Sequence, residues 1–147
     1  MQLVGIRGIE VGAYYDVLAV KEPGGLCPVL EAVGALQDCD WGLHLEVTQT
    51  LYDVLPQHGP DAHAWKALRG EIREYVFGYG PPDPAFRIVW FQGETERRII
   101  CSSGHLKTHG SGRTPPGAIP LAEKHRERYF WDLARGRRPR LDWIGVL

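Results

Sequence analysis

Phe86-Arg87-Ile88-Val89-Trp90-Phe91 and, shortly after, Arg97-Arg98-Ile99-Ile100-Cys101-Ser102 decide how this chain folds. Both runs are rich in β-branched and aromatic residues, and Gln92-Gly93-Glu94-Thr95-Glu96 between them has the length of a hairpin connection. Side chains alternate along a strand, so Phe86, Ile88 and Trp90 share one side and Arg87, Val89 and Phe91 the other. Arg87 is thereby set among apolar neighbours. The second run leads into Gly104-His105-Leu106-Lys107-Thr108-His109-Gly110-Ser111-Gly112-Arg113-Thr114-Pro115-Pro116, a tract dense in His, Lys and Arg. Cations gathered where strands end point to a phosphate site.

Upstream, Glu71 to Phe77 sets Ile72 and Val76 among charged residues, the pattern of a strand with one wet face. Gly80-Pro81-Pro82-Asp83-Pro84 then serves as a hairpin loop, because proline offers no ladder donor. Ala62 to Leu68 leads to Gly70 as a helical turn or as extended chain. Nearer the start, Gly12 to Val20 reads as a first strand ended by Glu22-Pro23-Gly24-Gly25. Pro28 opens a helix carrying Val29, Leu30, Val33 and Leu36 on one stripe, and a second runs from Leu43 to Leu55 until Pro56 stops it. Downstream, Ile119 to about Arg135 is an amphipathic helix, with Ile119, Ala122, His125 or Arg126, Tyr129 and Leu133 as its inward stripe. Gly136 to Arg140 breaks it. The apolar tail from Leu141 to Leu147 is suited to docking on the domain or on a partner.

This order, β-α-α-β-β-β-α, predicts a small α+β domain: two N-terminal helices packed on a mainly antiparallel sheet, with a basic C-terminal helix. At 147 residues, 44% of them hydrophobic, the chain supports one compact core. We expect a single domain over residues 1–136 and a tail over 137–147.

The formal charge of -1 conceals a division. Residues 1–96 hold 6 Lys and Arg against 14 Asp and Glu, and residues 97–147 hold 11 against 4. The basic half is fitted to polyanions, since neutralising phosphates releases counterions. Cys27, Cys39 and Cys101 are odd in number and form no CxxC pair, which fits a reducing compartment. The N-terminus lacks the pattern of a signal peptide, and no run approaches 18 apolar residues, so a soluble cytoplasmic protein is expected.

Trp65-Lys66-Ala67-Leu68-Arg69-Gly70-Glu71-Ile72-Arg73, followed by the arginine-bearing strand, the second apolar strand, the turn with Lys107 and Thr114-Pro115, and the basic helix, resembles the RelE/ParE/HigB toxin superfamily. The resemblance is closest to the HigB-like, phage-derived branch and spans roughly residues 12–135. It implies a RelE-like fold and the toxin of a type II toxin-antitoxin system: an mRNA interferase that cuts message in the ribosomal A site. It also implies restraint by a cognate antitoxin carrying a helix-turn-helix domain. Metal-free RNA cleavage by 2′-hydroxyl attack needs charge stabilisation, for which Arg73 and Arg87 are the candidates, and proton transfer, for which His105 and His109 are. Lys107 matches the lysine of the family's turn and is expected to bind phosphate or transfer a proton. Lys66, Arg69, Arg113, Lys124 and Tyr129 complete the RNA-binding set, with core packing the alternative for Tyr129.

A zinc site from Cys101, His105 and His109, with Cys39 as a distant fourth ligand, competes with a buried, apolar role for Cys101. We expect no cofactor. No P-loop, GxSxG or HExxH pattern occurs. Two further readings are a gyrase poison like ParE, which needs no proton-transfer groups, and a noncatalytic binding module.

Overall fold

The computed structural model describes residues 1–8, 12–78, 84–107 and 114–143. Strand β1 is Gln2–Arg7, β2 Asp16–Lys21, β3 Trp65–Arg69, β4 Ile72–Gly78, β5 Ala85–Gln92, β6 Arg98–Lys107 and β7 Arg140–Trp143. The helices are α1 (Pro28–Cys39), α2 (Trp41–Gln49), α3 (Leu55–His58) and α4 (Ala118–Ala134). Among the described residues no helix is long and apolar enough to cross a membrane.

All seven strands form one sheet in the order β3-β4-β5-β6-β2-β1-β7. Strands β3 to β6 pair antiparallel, as do β1 and β2, whereas β2 lies parallel to β6 and β7 parallel to β1. The α+β class stands. The RelE-like arrangement of two helices on a mainly antiparallel sheet does not: this is a mixed, seven-stranded sheet. Three strands outside the expected order widen it, one of them Trp65–Arg69 at the far edge beside β4. Gln2–Arg7 forms a hairpin with β2, and Arg140–Trp143, from the tail, adds a parallel edge strand.

Apolar alternation on the central strands produces two cores, one on each face. On the first, Tyr75, Phe77, Phe86 and Trp90 pack against Val29, Val33, Leu51 and Leu55 of the N-terminal helices. The Tyr75 and Trp90 rings stack 4.6 Å apart and within 5° of parallel. On the second, Val89, Phe91 and Ile100 pack under Ala122 and Tyr129 of α4. The two faces therefore carry different helices, and α4 has its own.

Two local expectations change, and one open choice is decided. Pro56 does not stop the second helix. The ladder widens into a π turn over Thr50–Val54, with the Leu55 N–H bonding the Thr50 carbonyl, and helix continues to His58. One extra residue in the turn accommodates a proline that has no N–H to give. Of the two readings of the approach to Gly70, extended chain holds: Trp65–Arg69 is a strand, paired with β4. The stretch Gly104–Lys107, read as part of a turn, instead extends β6, because β5 is long enough to pair with it as far as Ala85↔Lys107.

The edge strand β7 is seated by its tryptophan. A Cβ placed on Gly5 or Gly8 would come within 2.0 or 2.2 Å of Trp143 ring atoms. Gly5→Ala is expected to destabilise the fold by about 1–3 kcal/mol, the usual cost of overpacking. Gly5→Ala with Trp143→Ala should be less destabilised than Gly5→Ala alone, as read by thermal unfolding followed by circular dichroism.

Candidate active site

Alternation along β5 turns Arg87 toward the α4 face, where it is 8% exposed. Its register partners are Val76 on β4 and His105 on β6, while Glu74 on β4 lies opposite Lys66 on β3 and Val89 on β5. Glu74 is fully buried. Arg87 Nη1 donates to Glu74 Oε1 at 2.8 Å, Lys66 Nζ lies 3.2 Å from the same oxygen, and the Thr114 hydroxyl donates to Oε2. A carboxylate with no access to water needs such partners to stay charged. Arg87 Nε is buried with no hydrogen-bond partner among the described residues.

His105 and Lys107 stand on the same face, two residues apart at the end of β6. Burial, then the Lys107 cation, holds the His105 imidazole below its usual range, against the pull of Glu74. Burial and the neighbouring Arg87 and Lys66 cations likewise lower the Lys107 ammonium, again opposed by Glu74. Ser103 Oγ lies 2.8 Å from His105 Nε2 and fixes one side of the ring. Near neutrality the face thus offers a neutral imidazole among three cations, with a carboxylate beneath them.

Of the residues singled out from sequence, Arg87, His105, Lys107 and Lys66 are brought together. Arg73 is not. Adjacent strands are not enough: the register sets Arg73 opposite Trp90, on the other face from Glu74 and Arg87. There its guanidinium sits 4.5 Å from the centre of the Trp65 ring, and Nη1 donates to Gln92 Oε1 at 3.2 Å. Arg69 pairs with Glu123 of α4. Lys124 lies on the flank of α4 toward β2, in the wall of a separate cavity. Tyr129 is wholly buried; its hydroxyl donates to Glu94 and accepts from Arg98 Nη1 at 3.0 Å, and burial pushes it up to about 12. That is a packing role at the opposite end of the helix. His109 and Arg113 lie outside the described residues.

The zinc set fails on geometry. Cys101 faces the N-terminal helices, fully buried, with its thiol pushed up to about 12, whereas His105 points to the opposite side of β6. Cys39 is exposed on α1. Among the described residues no cluster of His, Cys, Asp and Glu could hold a metal ion.

Sequence reading missed Glu74, Ser103 and Thr114. A signal for Glu74 existed, since it falls midway between Ile72 and Val76 and so shares their side of the strand. Taking charged residues to mark the wet face concealed it.

Two outcomes follow from the electrostatics. Lys107→Met should raise the His105 pKa and Glu74→Gln should lower it further, each read from imidazole resonances in an NMR titration. His105 and His125 both have folded values depressed by burial, so the unfolded chain binds their protons more readily. Stability is therefore expected to fall as pH drops below about 6.5, the unfolded value. His105→Gln should flatten that dependence in denaturant melts run between neutral and mildly acidic pH. In comparisons with known proteins the chain matches no protein-family model, no curated protein and no solved structure.

Proposed function

We propose that this protein is a metal-independent RNA endonuclease acting as the toxin of a type II toxin-antitoxin system in the cytoplasm. The observation that carries the chemistry is the convergence of Arg87, Lys66 and Lys107 around a neutral His105 on one sheet face. His105 takes the proton from a ribose 2′-hydroxyl as that oxygen attacks the adjacent phosphorus. Arg87, held at Nη1 by Glu74, turns its remaining donors to the phosphorane oxygens, and Lys66 adds charge. The P–O5′ bond breaks, and the Lys107 ammonium, made more acidic by burial and by the Arg87 and Lys66 cations, protonates the departing 5′-oxygen. The products are a 2′,3′-cyclic phosphate and a 5′-hydroxyl.

The toxin part of the proposal rests on the order of segments from Trp65 to Tyr129, which also points to message on the ribosome as substrate and a helix-turn-helix antitoxin as partner. Ribosomal contacts that hold the RNA in line would contribute by positioning. One observation favours a second reading, a noncatalytic binding module. Glu74 already pairs with both Arg87 and Lys66, so an incoming phosphate must share them.

Induced expression in a bacterial host is expected to arrest growth and shorten translated messages, with cyclic-phosphate ends that form in the presence of a chelator. A 2′-deoxy substitution at the scissile position should abolish the cut. His105→Gln and Lys107→Met should each slow cleavage by about 100-fold or more, the usual worth of a proton-transfer group. Intact messages, or an Arg87→Ala/Lys107→Ala variant as toxic as its parent, would overturn the proposal. Retained binding to a neighbour-encoded protein without any growth effect would support the binding module.

A further inference from the structure

A cavity of about 480 Å³ opens between the ends of β1 and β2 and the middle of α4. It shares no wall with Arg87, His105 or Lys107. Its apolar surface comes from Met1, Val20, Pro23 and Leu121, and its charged surface from Lys21, Lys124, Arg128 and Glu22. This size, with a few polar groups set in apolar walls, is that of small-molecule sites.

The charges do not cancel. Glu22 Oε1 lies 3.1 Å from His125 Nε2, and Ser102 Oγ lies 2.7 Å from Nδ1 of the same ring. A carboxylate can only accept, so Nε2 carries the proton and Nδ1 accepts from the Ser102 hydroxyl. Burial holds this imidazole below its usual range, and Glu22 opposes that only in part. Glu22 is thus bound by a neutral N–H and keeps its single charge, against the three cationic side chains of the lining, Lys21, Lys124 and Arg128. Arg128 reaches Asp132 at 3.2 Å, but Asp132 is already met by the Met1 ammonium at 2.9 Å. Lys21 has Asp142 at 3.4 Å, near the surface. Lys124 makes no hydrogen bond or ion pair among the described residues. The buried His125, clamped from below by Ser102 of β6, gives the cavity a rigid polar wall.

We infer that this cavity binds a small organic anion, with its carboxylate or phosphate held by Lys124 and Arg128 and its apolar body lying on Val20, Pro23 and Leu121. Cations at one side of an apolar pocket select for a molecule with both features, and against either alone. The inference does not depend on RNA cleavage.

Calorimetric titration of the full chain with octanoate, uridine 5′-monophosphate, inorganic phosphate and 1-octanol tests it. At least one of the first two is expected to bind with a Kd below about 1 mM, and Lys124→Glu to weaken that binding by roughly tenfold or more. Octanoate alone would identify a carboxylate ligand and the nucleotide alone a phosphate ester; either supports the site. Inorganic phosphate or octanol binding as tightly, no binding by either amphipathic anion, or an undiminished affinity in Lys124→Glu would overturn it. Lys124→Glu removes no hydrogen bond or ion pair among the described residues, so its folding should match the parent by thermal unfolding.

Discussion

A carboxylate sealed inside a protein must be met by cations and hydrogen-bond donors, and Glu74 imposes that requirement on the whole α4 face of the sheet. It draws Lys66 from β3, Arg87 from β5 and Thr114 from the approach to α4 to a single pair of oxygens. Burial, with the Arg87 and Lys66 cations so assembled, lowers Lys107, and burial with the Lys107 cation lowers His105. The same carboxylate that orders the site also competes with any anion arriving there. An anion placed there would therefore be coupled to the integrity of this corner through one side chain.

A bulge in β6 distributes the rest of the polar chemistry. Val89 pairs with Ser103 and Trp90 with Cys101, so Ser102 is the extra residue, and both serines turn toward α4. Each meets a different histidine: Ser103 touches His105 in the cluster beside Arg87, and Ser102 touches His125 in the wall of the second cavity. Helix α4 crosses between these regions, its Ala122 and Tyr129 anchored in the core beneath. One irregular residue thus serves two sites that a regular ladder would have placed differently.

Much of the strand plan was readable because it rests on local alternation. Phe86–Phe91, with Arg87 turned away from Phe86, Ile88 and Trp90, is such a case, as is the Pro28 start of α1. Glu74 and Arg73 show the limit. Both are charged residues in one short strand, and hydropathy treats them alike, yet one is buried beneath cations and the other lies over two indole rings. Pairing register separates them, and register comes from partners far along the chain. Strand β7 was out of reach for a similar reason: Arg140–Trp143 is a strand by virtue of β1, more than a hundred residues away, and of the glycines that admit the Trp143 ring.

By itself the sequence determined the α+β class, the central hairpin, the division of charge between its halves and the gathering of His, Lys and Arg at the end of β6. These are properties of neighbours, where side-chain period and turn chemistry act over a few residues. The tertiary structure decided the mixed seven-stranded order, the burial of Glu74, the exclusion of Arg73 and the second cavity. Those depend on which strands meet and in which register, and there the free energy lies in contacts between segments remote in sequence.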